Sequence, residues 1–232
     1  MQIPFFYISE YIGESQMNLD EETSRHIIQV LRMKEGEKIN LTDGKGNLIT
    51  TEIVDAHKKH CSVRAIGSRL IPHVSQRITI GISLLKNTGR LEWFLEKATE
   101  IGVSEIIPLI CERTIKEKFR WDRMNAICIS AMLQSQQCWL PKLYEPQLFA
   151  QTINQSGYQQ KFIAYCDDGT KSSLAHTQIN QSTIILIGPE GDFTKEEIEM
   201  ALQNNFIPVS LGETRLRSET AGVVAAVISV LK

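Results

Sequence analysis

Two stretches of this 232-residue chain place chemistry-bearing residues where a strand should give way to a helix. The first runs Thr183-Ile184-Ile185-Leu186-Ile187-Gly188-Pro189-Glu190-Gly191-Asp192-Phe193-Thr194. An apolar strand-like run enters a loop bracketed by Gly188 and Gly191. Thr194 then offers a helix N-cap, with Glu197 three positions on, the pattern of a capping box. In open parallel sheets ligands bind beyond the carboxyl ends of strands, and glycine lets the backbone approach them closely. Backbone N–H and C=O groups of such a loop can bind an adenine edge without side chains. Spacing alone is equally compatible with a tight turn ahead of a helix. The loop is neither the G-x-G-x-x-G dinucleotide fingerprint nor a P-loop, which needs G-K-[ST]. The second stretch, Val209 to Gly222, again brings a strand to a glycine, Gly212. Its loop carries Glu213, Arg215, Arg217 and Glu219. The helix expected after it is apolar nearly all round and so buried on most faces. Charges gathered at the mouth of a buried helix point to a site more than to a solvated face.

A third group has the chemistry of nucleic-acid contact. Arg113 to Arg123 holds five basic and two acidic residues, with Phe119 and Trp121 interleaved. Its cations Arg113, Lys116, Lys118 and Arg120 can bind phosphates, and Trp121 can stack on a base. The competing reading is a solvated loop with both aromatics packed inward. Arg25 and Arg32 lie seven apart on an expected early helix, hence on one side of it. With Lys34 and the Lys58-Lys59 pair they can form a second basic surface. His26 reads as a structural histidine, Met33 and Met132 as core, and Trp93 and Trp139 as packing or dimer surface. The cysteines (Cys61, Cys111, Cys128, Cys138 and Cys166) are scattered, with no C-x-x-C or Cys/His pair at ligand spacing, so no metal is expected. Buried reduced thiols imply a reducing compartment such as the cytoplasm.

The elements that must hold these residues fall into two regions, 1–72 and 73–232. In the first, Pro4–Ile8, Lys38–Thr42, Asn47–Val54 and Cys61–Ile66 read as short strands, with Asp43-Gly44-Lys45-Gly46 as a hairpin turn. A helix is expected over Glu21–Met33, and the strands suggest a small barrel. Arg69–His73 is a linker interrupted by Pro72. In the second region strands are expected at Ile78–Leu84, Glu105–Ile110, Lys161–Tyr165, Thr183–Ile187 and Pro208–Leu211. Helices are expected at Arg90–Ile101, Asp122–Gln137, Lys195–Asn204 and Ser218–Leu231. Strands alternating with helices mean an α/β fold with a parallel sheet.

Composition sets the outer bounds. Apolar residues make up 42% and charged residues 22%, which is ordinary for a folded globular chain. A net charge of −2 excludes a global basic field, so any nucleic-acid contact must come from local patches. The longest wholly apolar run falls short of the roughly 20 residues that span a bilayer. Met1 to Tyr7 shows neither a basic n-region nor a small-residue cleavage site, so no membrane anchor or signal peptide is expected.

Gly188-Pro189-Glu190-Gly191, followed by Leu211-Gly212 and Leu216-Arg217-Ser218-Glu219-Thr220-Ala221, resembles the SPOUT-class methyltransferases with a trefoil-knotted C-terminus. More closely, the chain resembles the 16S rRNA uridine N3-methyltransferase (RsmE) family. His26 with Val30-Leu31-Arg32, the Asp43-Gly44-Lys45-Gly46 turn, Lys97 through Val103, Pro108-Leu109 with Glu112-Arg113, and Gln134-Ser135 carry the likeness along nearly the whole chain. Where that family commonly has a further glycine after Gly191, this chain has Asp192. The resemblance implies a PUA-like N-terminal β-barrel that docks RNA and a knotted domain that binds S-adenosylmethionine without a metal. It implies a donor site of Leu186, Gly188, Pro189, Glu190, Gly191, Leu211, Gly212, Leu216, Arg217 and Thr220. Arg217 is expected to stabilise a developing uridinate, and Glu219 or Glu190 to accept the proton or orient that arginine. RNA contact is expected from Arg25, Arg32, Arg113, Lys116, Lys118 and Arg120. The implied substrate is the uridine numbered 1498 in 16S rRNA of the small ribosomal subunit, and the implied assembly a homodimer. The alternatives are a SPOUT enzyme for another RNA, or a non-catalytic RNA-binding protein of the ribosome.

Overall fold

The computed structural model describes residues 3–73, 76–115, 118–166 and 171–231. They divide into two compact units, one of Met1–His73 with Met132–Leu140, the other of Val74–Ala131 with Pro141–Lys232.

The first unit contains β1 (Phe5–Tyr7), β2 (Gln16–Asn18), α1 (Glu21–Arg25), β3 (Lys38–Thr42), β4 (Asn47–Asp55) and β5 (Ser62–Leu70). They form a five-stranded sheet in the order β1-β3-β4-β5-β2, parallel only between β1 and β3. Ile49, Thr51 and Ile53 alternate inward along β4, and the isoleucines join Ile27, Ile39, Leu41 and Val63 in one core. At the predicted hairpin turn, Gly44 and Gly46 have φ of 70° and 95°. The Asp43 carboxylate accepts the Lys45 N–H at 2.9 Å. A Cβ on Gly46 would fall 2.4 Å from the Trp139 ring, whose indole N–H donates to the Ile71 carbonyl at 3.0 Å. Trp139 is therefore a packing residue of this unit.

The early helix departs from expectation. After Arg25 the chain widens into a π-turn over His26–Val30, where the Leu31 N–H reaches the His26 carbonyl at 3.0 Å. The buried Ser24 hydroxyl accepts the Cys61 N–H at 2.8 Å and anchors the preceding turn to the sheet. Arg32 follows beyond the helix with φ of 57°, and Arg25 is paired with Glu21 at 2.7 Å. A seven-residue spacing puts two side chains on one face only at the α-helical period, so the shared face predicted for Arg25 and Arg32 is lost.

The second unit contains β6 (Ile78–Ser83), α2 (Thr88–Ile101), β7 (Glu105–Ile110), α3 (Trp121–Gln134, whose last residues belong to the first unit), β8 (Lys142–Leu143) and β9 (Gln147–Leu148). It continues with α4 (Phe149–Ile153), β10 (Gln160–Ala164), β11 (Ser172–Ser173), β12 (Thr183–Ile187), α5 (Lys195–Gln203), β13 (Ile207–Ser210) and α6 (Ser218–Val230). The strands pair in parallel in the order β11-β13-β10-β12-β6-β7-β8, with β9 beside β7. All residues of β6 and β12 are buried, as expected for central strands covered on both faces. Gly102 ends α2 in the left-handed conformation at φ 97°, and Thr194 with Glu197 opens α5 as a complete capping box. Gly222 lets α6 lie against α2, because a Cβ there would sit 2.6 Å from the Phe94 ring. Among the described residues no helix is long and apolar enough to cross a membrane, and no cluster of three or more His, Cys, Asp or Glu side chains is placed to hold a metal.

Two outcomes follow from this packing. Cys61, Cys111, Cys128 and Cys138 are buried and Cys166 is exposed. Burial pushes the thiols of Cys61 and Cys128 up to about 11 and that of Cys111 up to about 12. A thiol reagent at neutral pH should label one cysteine per native chain, found at Cys166 by peptide mapping, and all of them after denaturation. Gly222→Leu should drive α6 off Phe94 and lower stability by about 1–3 kcal/mol, read as a lower urea midpoint.

Candidate active site

The candidate site lies at the carboxyl ends of β10, β12 and β13, where the chain leaves the sheet three times on one side. Inside the strands the backbone polar groups are occupied, since β12 pairs with β10 along one edge and with β6 along the other. Past Ile187, Ala164 and Ser210 they are released, and the three exits line one cavity of about 980 Å³. That volume is at the upper end of the roughly 300–1,000 Å³ typical of small-molecule sites.

The exit from β12 contributes Gly188, Pro189, Glu190 and Asp192. Gly188 is buried, and a Cβ on it would press on the Phe193 ring and N–H at 3.2 Å, so the turn is closed by contact as well as by sequence. The Glu190 carboxylate accepts the Lys86 N–H at 3.0 Å. Asp192 takes the left-handed conformation at φ 62°, which explains how it stands where a glycine is usual. Its carboxylate accepts the Phe193 N–H at 2.8 Å and the Cys166 N–H at 2.7 Å, tying this loop to the end of β10.

The exit from β13 contributes Leu211, Gly212, Glu213, Thr214, Arg215, Leu216 and Arg217. Gly212 has φ of 146° and open space where a Cβ would stand. Arg217 is the N-cap residue of α6 but makes no side-chain capping bond, so the amino end of that helix is uncapped beside the cavity. The exit from β10 adds Tyr165 and Cys166, and Lys171 reaches in from just before β11, its ammonium 4.0 Å from the Tyr165 ring centre.

The predicted donor residues separate on this geometry. Gly188, Pro189, Glu190, Leu211, Gly212, Leu216 and Arg217 line the cavity. Leu186 is fully buried within β12 and is not among the lining residues. Gly191 turns away, its carbonyl accepting from the Arg113 guanidinium at 2.6 Å. Thr220 is half-buried in the first turn of α6 and Glu219 is buried there; neither is among the lining residues. Glu219 pairs with Arg90 at 3.5 Å, and Glu190 with a backbone N–H, so neither carboxylate is engaged with Arg217. Arg90, Tyr165, Cys166, Lys171 and Asp192 were not anticipated as lining residues. The rule that ligands sit beyond strand ends could have found Tyr165 and Cys166. Arg90 carries no local signal, being one charge among several at the start of an amphipathic helix.

The predicted RNA contacts are less uniform. Arg25 is engaged by Glu21 and Arg113 by the glycine loop, whereas Arg32, Lys118 and Arg120 are exposed. Lys116 lies outside the described residues. Trp121 is half-buried, and its indole N–H donates to the Leu143 carbonyl at 3.2 Å.

The chain is similar to known RNA methyltransferases in sequence and in fold. A family model described as an RNA methyltransferase domain matches residues 72–230, and one described as an RNA methyltransferase PUA domain matches residues 19–66. The crystal structure of a probable rRNA-methyltransferase from Porphyromonas gingivalis superposes with a TM-score of 0.90 at 37% identity, covering 97% of this chain and 95% of that one. The ribosomal RNA small subunit methyltransferase E of Neisseria gonorrhoeae, solved bound to S-adenosyl methionine, gives 0.87 at 28% identity over 97% and 95% of the two chains. The ribosomal RNA small subunit methyltransferase E of Synechocystis is 29% identical over 230 residues, covering 93% of this chain and 73% of the relative. With the matched domain spanning most of its length and the glycine loops of that domain gathered at one cavity, the chain belongs to the RNA methyltransferase family.

Proposed function

We propose that this protein transfers a methyl group from S-adenosylmethionine to N3 of a specific uridine in 16S rRNA of the small ribosomal subunit. The observation that carries the reading is the convergence of the β10, β12 and β13 exits on one cavity with Arg217 at its wall. Relatives named ribosomal RNA small subunit methyltransferase E, one of them solved with S-adenosyl methionine, support both substrate classes.

The residues present fit the donor. The cavity is large enough, its turns at Gly188 and Gly212 offer backbone groups to an adenine edge, and the uncapped end of α6 offers N–H groups. The donor supplies an electrophilic methyl group on a positively charged sulfur. The protein must hold the uracil N3 in line with that carbon and favour loss of the N3 proton. Alignment alone contributes several kcal/mol. Arg217 stabilises the negative charge that spreads onto the uracil oxygens as the proton leaves. The first unit, with the exposed Arg32, and the Lys118 and Arg120 cations of the second serve RNA docking through phosphates. In this reading residues 1–72 are the docking domain and 73–232 the knotted catalytic domain, working in the cytoplasm.

The protein works as a homodimer in the same reading. On α6, Val223, Val224 and Ile228 are only half-buried and Val227 is exposed, an apolar face suited to a second copy. Val227→Glu should shift the molecular mass measured by light scattering from dimer to monomer; an unchanged mass would place the interface elsewhere.

Nucleoside mapping of 16S rRNA from a deletion strain should show loss of one N3-methyluridine. The restored gene should return it, and Arg217→Ala should lower turnover by about 10²–10³-fold with donor affinity retained. An unchanged uridine in the deletion strain would refute the assignment.

A further inference from the structure

Glu219 is the one residue among those described with a buried side-chain polar atom left without a hydrogen-bond partner, its Oε2. Its side chain is 9% exposed, and its other oxygen stands 3.5 Å from Nε of Arg90. A buried carboxylate in this state costs free energy unless it holds another charge in place. The charge it faces is one of the cavity's own lining groups: Arg90 lines the cavity, as do Arg217, Ser218 and Ala221. Glu219 itself does not line the cavity, and a general base must come within hydrogen-bond reach of its proton or reach it through one water.

We propose that Arg90 is a further binding residue of this cavity, recognising an anionic oxygen, and that Glu219 is a positioning residue that acts through Arg90. The inference rests on the methyl-transfer reading above. Engaging a guanidinium at Nε leaves its terminal N–H groups available to a ligand. Arg90 pairs with a residue of the first turn of α6, and the uncapped amino end of that helix and the Arg217 cation are both favourable to negative charge. Glu190, Asp192 and Glu213 also line the cavity, and Arg90 with Arg217, Arg215 and Lys171 supplies the opposing positive charge. The oxygen belongs either to the carboxylate of the donor's amino-acid end or to the RNA.

The test is a double-mutant cycle on the full chain with Arg90→Ala, Glu219→Gln and both changes, plus Arg90→Lys, with folding checked by urea denaturation. Donor affinity is measured by calorimetry with S-adenosylmethionine and with 5′-methylthioadenosine, which lacks the amino-acid end. Turnover is measured on small subunits across pH. Both single variants should fall by about 10–100-fold, and the double variant should be no worse than Arg90→Ala, as for residues acting as one unit. Lysine should restore part of the loss. If the donor carboxylate is the ligand, Arg90→Ala weakens S-adenosylmethionine but not 5′-methylthioadenosine. If an RNA oxygen is the ligand, donor affinity holds and the RNA kinetics change. Independent, multiplying losses would overturn the proposal. So would normal behaviour of Arg90→Ala in every assay, or a Glu219→Gln profile that loses a titrating limb while Arg90→Ala keeps it. A wild-type chain that fails to bind S-adenosylmethionine would end the underlying reading as well, whereas active wild type with active Arg90→Ala ends only this inference.

Discussion

A central parallel strand has nothing to offer a ligand. Along Thr183–Ile187 the backbone is paired with β10 on one edge and β6 on the other, and every side chain is buried. An unpaired polar group in such a position would be costly, so the strand stays fully bonded until it leaves the sheet. Only past Ile187 do backbone groups become available, and the same holds past Ala164 and Ser210. Main-chain groups free to meet a ligand are thereby confined to the carboxyl ends of these strands. Side-chain charge comes from the exit loops themselves, through Glu190, Asp192, Glu213 and Arg215, and from Arg217 at the head of α6 and Arg90 near the head of α2.

Loops built this way need their own restraints, because they have left the ladder that held them. Asp192 supplies one. A single carboxylate satisfies the N–H groups of Phe193 and Cys166 while its own residue takes a left-handed turn. Glycine would reach that conformation more easily but could not bridge to the end of β10. Arg113 braces the same loop from another side through the Gly191 carbonyl. The loop is therefore held by charged side chains that face it, and its shape does not rest on glycine flexibility alone.

Much of this architecture was legible in the residues. The strands at Lys38–Thr42 and Thr183–Ile187 and the capping box at Thr194 depend on local patterns, and they stand where those patterns put them. The glycine turns after β12 and β13 were legible for the same reason. What escaped were features set by contacts between distant segments. The π-turn after Arg25 departs from the period that any face argument assumes, so Arg32 was misplaced. For Trp121 the sequence leaves stacking on a base and inward packing both open, because exposure of an aromatic depends on what covers it, and the bond to the Leu143 carbonyl comes from a distant segment. For Glu219 the sequence leaves open proton acceptance and orientation of Arg217, whereas the partner it has lies 129 positions away at Arg90, a separation no local pattern encodes.

The first compact unit is not continuous in sequence. Its Asp43–Gly46 turn is completed from Cys138 to Leu140: the Gly46 N–H donates to the Cys138 carbonyl at 2.8 Å, and the Leu140 N–H to the Gly44 carbonyl at 2.9 Å. Trp139 closes over Gly46 and donates its indole N–H to the Ile71 carbonyl just after β5. During synthesis, then, the leading seventy residues emerge without the piece that finishes them. Their core draws only on residues 6–65, but the turn is completed only once position 140 has cleared the exit tunnel, by which time the opening strands of the second unit are also outside. Maturation of the two halves is coupled in time, and a fragment ending at the linker would carry an open seam along that turn.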